Sequence, residues 1–151
     1  MSKNYNLGPA ICTVISGSFR KHLTEMSFLK KALEKLDICV LSPEKCSAVN
    51  PEEEFIILDS DPVCHPGILQ SSVFAKMRRS TFLVLANFDG YIGRAAAVEI
   101  GYAIAIGIKI YSLTEVEDPN IAPYCSLLTE VFPEIQHIFS ESSKSKKFAS
   151  L

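Results

Sequence analysis

One acidic residue, Glu99, interrupts a segment that is otherwise aliphatic, glycine or tyrosine from Ala95 to Gly107. The segment is typical of a helix, and the residues three and four positions from Glu99 are alanine or tyrosine, so the helix offers no cationic partner. A carboxylate in such surroundings reaches a cleft or loses its hydration, and desolvation raises its pKa, as at many catalytic positions. The structural alternative is a glutamate at the helix edge, exposed or paired with a distant Arg or Lys.

The elements that would position this carboxylate alternate along the chain between short apolar runs and segments of helical periodicity. The predicted strands are Ala10–Ile15, Ile38–Leu41, Thr81–Ala86 and Ile108–Tyr111, with weaker ones at Phe55–Leu58 and Ile135–Phe139. The predicted helices are His22–Leu36, Gly67–Arg79, the Glu99 helix and Ile121–Val131. The segment from Glu44 to Pro66 is polar and broken by prolines, and long excursions of this kind are often functional.

Apolar strands that alternate with helices predict an α/β, three-layer fold of the Rossmann or flavodoxin type, with a mostly parallel sheet of about five strands. Ligands of such folds bind outside the carboxyl ends of the strands. Small and polar residues follow the predicted strands there, and they are Ser16-Gly17-Ser18, Ser42-Pro43, Asn87 to Gly90 and Ser112. The sequence therefore predicts a pocket at this edge, although the same residues also serve as turn formers.

Composition predicts one domain over residues 1–151 with a substantial core, since 48% of the residues are hydrophobic. Residues 140–151 are rich in Ser and Lys and are predicted to form a loose tail. The chain has 15 basic and 17 acidic residues and a net charge of −2, which argues against a nucleic-acid polymer as partner. The longest apolar run is interrupted by Glu99 and Lys109, so we expect no membrane span.

The five cysteines include no C-x-x-C pair. Cys12 and Cys39 fall in apolar strand-like runs, where cysteine is expected to behave as a small hydrophobic residue. The odd count, together with an N-terminus that lacks a signal-peptide pattern, predicts a cytoplasmic protein.

The chain lacks the sequence motifs of several common ligand-binding and catalytic sites. The chain has neither a G-x-x-x-x-G-K-[ST] loop nor a G-x-G-x-x-G run after the first strand, which argues against P-loop and standard dinucleotide sites. Its histidines lack metal-site spacing, and there is no G-x-S-x-G elbow, so neither a metal site nor a hydrolase triad is expected. We expect no cofactor.

Two segments resemble the nucleoside 2-deoxyribosyltransferase superfamily, which includes the 2'-deoxynucleoside 5'-phosphate N-hydrolases. One is Ser16-Gly-Ser-Phe-Arg20 after the first strand, and the other is Glu99-Ile-Gly-Tyr-Ala, on a helix that enters a strand. The resemblance spans roughly residues 10 to 112 and looks closest to an uncharacterised branch with Asp-Gly-Tyr-Ile-Gly ahead of the helix.

The resemblance implies that Glu99 is the nucleophile that attacks the anomeric carbon of the sugar. It also implies that Gly17, Ser18 and Arg20 line the sugar and, in the hydrolases, the 5'-phosphate. The acid that contacts the base in the transferases lies in the middle of the chain, where Asp59 and Asp61 are candidates. The family usually places an aspartate close before the glutamate, whereas the nearest upstream acid here is Asp89, ten residues before Glu99.

Cleavage of an N-glycosidic bond passes through an oxocarbenium-like centre, which a carboxylate stabilises, while a second acid protonates the departing base. Asp89, Asp59 or Asp61 could supply that proton, although aspartates before Gly or Pro are also common in turns. The other candidate ligand-binding residues, each with an ordinary structural alternative, are Asn87, Gly90, Tyr91, Arg94 and Tyr102.

Two functions follow as expectations. The first is an enzyme that cleaves or transfers the N-glycosidic bond of a small-molecule (deoxy)nucleoside or nucleotide. Arg20, Lys21 and Arg94 favour a phosphorylated substrate. The second is a catalytically inactive nucleotide-binding or sensor module of the same fold. The resemblance and the apolar Glu99 helix also predict a homo-oligomer, a dimer or larger.

Overall fold

The computed structural model describes residues 10–44 and 65–136. Its strands are β1 (Cys12–Gly17), β2 (Cys39–Ser42), β3 (Phe82–Ala86), β4 (Lys109–Ser112) and β5 (Cys125–Leu127). Its helices are α1 (Phe19–Lys35), α2 (Pro66–Arg78), α3 (Arg94–Ile106) and α4 (Leu128–Val131), with short 3-10 turns at Phe88–Gly90 and Ala122–Tyr124.

All five strands are parallel and lie in the order β2-β1-β3-β4-β5. This is the strand order of flavodoxin-like sheets, whose direction of winding reverses between β1 and β3. The predicted α/β three-layer fold is therefore confirmed. None of the helices in the described part of the chain has the length and apolar character needed to cross a membrane.

Two apolar layers cover the sheet, one on each face. Consecutive strand residues point to opposite faces, so Ile15 packs against α1 while Val14 packs against α2 and α3. The central strand β3 is buried along its whole length and contributes to both layers. Because Ser16 shares the face of Val14, its side chain belongs to the layer that contains α2 and α3.

The ends of the helices follow local sequence signals. Ser18 caps α1 by accepting a hydrogen bond from the Lys21 amide, and His65 caps α2 in the same way through Nδ1 and the Ile68 amide. Helix α3 ends at Gly107, whose φ of 78° is a left-handed conformation that glycine adopts without steric cost. The chain then enters β4 directly, as the sequence predicts.

Two predicted elements after residue 120 are wrong. The segment Ile121–Val131 is not a continuous helix, since it holds a 3-10 turn, the edge strand β5 and the short helix α4. The fifth strand is β5 rather than Ile135–Phe139, because residues 134–136 are helical. The β5 segment is too short for its periodicity to separate strand from helix, and its pairing with β4 decides the conformation. The predicted strand Phe55–Leu58 and residues 137–139 lie outside the described residues.

Candidate functional site

The site forms where the sheet reverses its direction of winding. Strand β1 ends at Gly17 and β3 at Ala86, and the two are paired in parallel so that these residues are opposite each other. The connections from these ends lead to α1 and to α3, which cover opposite faces of the sheet. The resulting crevice is the usual ligand position in a doubly wound sheet.

Glu99 lies in the middle of α3 and is only 8% exposed. Its helical neighbours Ala96, Ile100 and Ala103 are buried against the sheet, so the carboxylate stands at the boundary of the apolar layer rather than in solvent. The alternative of an exposed glutamate at the helix edge is therefore not observed.

Two neutral polar groups lie next to the Glu99 carboxylate. Gln70 Nε2, on α2, donates a hydrogen bond to Glu99 Oε2 at 3.3 Å. Ser16, on β1, is 0% exposed, and its Oγ lies beside the carboxylate without a hydrogen bond of ordinary geometry among the described residues. Burial raises the pKa of Glu99 from 4.5 to about 7, while Gln70 and then Ser16 lower that pKa.

Within the described ranges, no ion pair involves Glu99. The carboxylate therefore depends on an amide and a nearby hydroxyl, which compensate its lost hydration only in part. A buried carboxyl of this kind exchanges its proton near neutral pH and attracts any positive charge that develops beside it.

Gly17 and Ser18, both predicted to line the ligand, have clear structural roles. A Cβ on Gly17 would lie 3.0 Å from both the Cβ and the carbonyl oxygen of Ala86, so any other residue would require the ends of β1 and β3 to move apart by a few tenths of an ångström. The Ser18 hydroxyl caps α1. The backbone of Arg20 lies in α1, and its side chain is outside the described part of the structure.

Asn87 is almost completely buried, and its side chain joins the ends of β3 and β4. Its Oδ1 accepts hydrogen bonds from the amides of Leu113 and Thr114, at 3.0 and 3.1 Å. Its Nδ2 donates to the Thr114 carbonyl at 3.0 Å, and the Thr114 hydroxyl donates to the Asn87 carbonyl. These bonds hold the carboxyl ends of β3 and β4 together, which is a structural role for Asn87.

Asp89 and Gly90 line a different cavity, a groove of about 720 Å³ between the 3-10 turn after β3 and the segment after β4. Ala97 lines the groove, whereas Glu99 is two residues further along α3 and hence about 200° around the helix. Asp89 is exposed and is not among the groups that shift the pKa of Glu99. The structure thus does not bring Asp89 and Glu99 together.

The predicted aromatic residues hold the surrounding elements together. Tyr102 stacks on Phe74 with ring centroids 4.3 Å apart, and its hydroxyl accepts a hydrogen bond from Arg78 Nη1 at 2.6 Å. These contacts fix α3 against α2, the pairing that also brings Glu99 to Gln70. Tyr91 is 41% exposed, and the Lys21 ammonium lies 3.7 Å from its ring centroid, which connects α1 to the segment before α3.

The remaining candidates are less informative. Arg94 begins α3 and is exposed, and Asp59 and Asp61 lie outside the described residues. No group of three or more His, Cys, Asp or Glu in the described part of the chain could hold a metal ion. Sequence reasoning did not single out Gln70, and it named Ser16 only within the Ser16-Gly17-Ser18 segment of the predicted pocket and not as a neighbour of Glu99.

Comparison of the chain with models of known families, with curated proteins and with solved structures found no match. A function is therefore assigned from the position of Glu99, from its neighbours and from the sequence itself.

Proposed function

We propose that this protein cleaves or transfers the N-glycosidic bond of a (deoxy)nucleoside or of its 5'-phosphate, with Glu99 as the nucleophile. The observation that supports this most strongly is the buried Glu99 carboxylate, which lies at the sheet reversal beside two neutral polar groups. The sequence resemblance to the nucleoside 2-deoxyribosyltransferase superfamily selects this chemistry among those open to a buried carboxylate.

In the proposed reaction an oxygen of Glu99 attacks the anomeric carbon as the bond from that carbon to the base breaks. The electron pair of the broken bond goes to the departing base nitrogen, which takes up a proton. Water or a second base then attacks the same carbon and releases Glu99, so one difficult step becomes two easier ones. The positive charge of the oxocarbenium-like centre compensates the buried carboxylate, and this interaction is strongest in the transition state.

Gln70 and Ser16 have separate positions in this scheme. The Gln70 amide holds one oxygen of the Glu99 carboxylate, Oε2, through its hydrogen bond at 3.3 Å. The Ser16 hydroxyl is completely buried beside the carboxylate, where it lowers the pKa of Glu99 and so favours the ionised nucleophile. The proton donor for the base remains a prediction on Asp59 or Asp61, since Asp89 lines the other groove.

A nucleotide-binding module without turnover is the second candidate. It is favoured by one observation, the separation of Asp89 from Glu99, because the described residues then place no second acid in the crevice. Such a module would retain the binding crevice but would release no base.

Chromatography of reaction mixtures tests the two functions. The purified protein is incubated with deoxynucleosides, their 5'-monophosphates and the ribo counterparts, with and without a second free base. We expect free base with the wild type and none with Glu99→Gln, while Glu130→Gln, which changes an exposed glutamate, behaves as the wild type. Base exchange would identify a transferase. Binding of one nucleotide without release of base would establish the inactive module instead.

We also propose that the protein acts in the cytoplasm as a homo-oligomer that pairs through α3. The solvent-facing positions Ala95, Val98, Gly101 and Ala105 of this helix carry no charge, and Val98 is 54% exposed. Light scattering after gel filtration should give at least a dimer for the wild type and a smaller species for Val98→Lys. A monomeric wild type would contradict the proposed assembly.

A further inference from the structure

Two cysteines lie side by side at the end of the sheet opposite to the candidate site. Cys12 begins β1 and Cys39 begins β2, and the parallel register of the two strands pairs these residues directly. Their side chains therefore project from the same face of the sheet at neighbouring positions. Both thiols are free. Cys12 is about 13 Å along β1 from Ser16, so the pair is separate from the Glu99 crevice.

We propose that Cys12 and Cys39 form a reversible dithiol–disulfide pair whose oxidant is a low-molecular-weight disulfide of the glutathione type. This inference does not depend on the proposed glycosidic activity. It differs from the sequence-based expectation, which treated both residues as small hydrophobic side chains, because the structure leaves Cys39 exposed and Cys12 half-buried.

The geometry of the strands allows the bond. Neighbouring strands lie about 4.8 Å apart, within the range of about 4.4–6.8 Å that separates the Cα atoms of disulfide-bonded cysteines. Direct pairing in a parallel sheet leaves the Cβ atoms slightly further apart than a relaxed disulfide needs. The required shift is small, because β2 has only four residues, lies at the edge of the sheet and changes register with β1 between Thr13 and Val14.

The local environment separates the roles of the two thiols. The exposed Cys39 is the thiol that a soluble disulfide reaches first. Cys12 donates a weak hydrogen bond from Sγ to the Ala10 carbonyl at 3.7 Å, and burial followed by the nearby Cys39 raises its pKa, while Arg79 lowers it. Cys12 is therefore less suited to the first attack but lies next to Cys39 for the second.

The exchange balances in two steps. The Cys39 thiolate attacks one sulfur of the oxidised glutathione, breaking its S–S bond and releasing one glutathione thiolate. The Cys12 thiolate then attacks Cys39 Sγ, forms the protein disulfide and releases the second glutathione thiolate. The two protein thiols lose two electrons and two protons, and the oxidant gains them as two molecules of reduced glutathione. A bond formed with strain at an exposed edge is readily reduced again.

Mass spectrometry after alkylation tests the pair in the full-length protein. With oxidised glutathione, we expect loss of both free thiols, a peptide that links Cys12 to Cys39, and recovery of both thiols with dithiothreitol. In Cys12→Ser the first step proceeds but the second cannot, so Cys39 should accumulate as a stable glutathione adduct that the wild type does not retain. Cys125→Ser is the matched control and should form the Cys12–Cys39 bond as the wild type does.

Three outcomes would overturn the proposal. One is an equally stable glutathione adduct on Cys39 in the wild type and in Cys12→Ser. Another is a disulfide that joins Cys39 to Cys46 or Cys64 in place of Cys12. The third is no reaction of Cys39 while denatured protein reacts under the same conditions.

Discussion

Gln70 Nε2 donates a hydrogen bond to Glu99 Oε2 at 3.3 Å and thereby connects α2 to the carboxylate of α3. The connection matters because Glu99 is buried and has no cationic partner among the described residues. Stacking of Phe74 on Tyr102, and the bond from Arg78 to Tyr102, hold the same two helices together. The helix pair thus determines where the carboxylate lies and how readily it ionises.

Loss of the Gln70 hydrogen bond should raise the pKa of Glu99 above 7. The bond favours the ionised carboxylate, and Gln70→Leu removes it while keeping a side chain of similar volume. Carbon-13 NMR titration of the glutamate carboxyl groups, with Glu99 assigned through Glu99→Gln, measures the change directly. Ser71→Ala is the control, since the Ser71 hydroxyl donates to the Gly67 carbonyl within α2 and Ser71 is not among the groups that shift the pKa of Glu99. An unchanged pKa in Gln70→Leu would show that the bond does not stabilise the ionised form.

Glu99→Gln should stabilise the fold increasingly as the pH rises. The folded-state pKa of about 7 exceeds the ordinary value of 4.5. The stability that Glu99 contributes to the wild type is therefore fully present below pH 4.5 and is lost as the pH rises through 7. The difference in unfolding free energy between Glu99→Gln and the wild type should therefore grow across this window, by about 3 kcal/mol. Urea unfolding at several pH values measures it, with Glu130→Gln as the exposed control. A constant difference would contradict the raised pKa.

Prediction from the sequence succeeded where a residue or a segment differs strongly in polarity from its neighbours in the chain. Glu99 is conspicuous among aliphatic neighbours, and the strands β1 and β3 read directly as buried apolar runs. Gln70 looks like an ordinary polar position of a helix, and only the packing of α2 on α3 brings it to Glu99. The position of Ser16 beside Glu99 depends similarly on the face of β1 on which its side chain lies, the face that packs against α2 and α3. Strand β5 was missed because three residues carry no usable periodicity.

The rate of base release should rise with pH through about 7 and then level off. A nucleophilic carboxylate must be ionised, and the pKa of Glu99 is raised to about 7, so roughly half of the molecules are competent at that pH. Initial rates under subsaturating substrate give the pKa of the free enzyme. Rates that fall through the same region would instead make Glu99 a general acid.

Ser16→Ala should raise the pKa of Glu99. The buried Ser16 hydroxyl lies beside the carboxylate and lowers that pKa, so its removal favours the protonated carboxyl. Carbon-13 NMR titration of the Glu99 carboxyl should therefore give a higher pKa for Ser16→Ala than for the wild type. A matched control is Ser80→Ala, since that buried hydroxyl donates to the Lys76 carbonyl and is not among the groups that shift the pKa of Glu99. An equal pKa in Ser16→Ala and the wild type would remove Ser16 from the groups that stabilise the ionised carboxylate.

Alanine substitution at two glycines should have opposite effects on stability. At Gly17 the new Cβ would lie 3.0 Å from the backbone oxygen of Ala86, at the last pair of the β1–β3 ladder, so the ends of the two strands must separate slightly. Such overpacking costs about 1–3 kcal/mol. At Gly101 nothing lies within 4 Å of the new Cβ, and alanine favours the helix over glycine by up to about 1 kcal/mol. Urea unfolding should therefore give a lower midpoint concentration for Gly17→Ala than for the wild type, and a higher one for Gly101→Ala. If Gly17→Ala were as stable as the wild type, the close approach of β1 to β3 would not restrict this position to glycine.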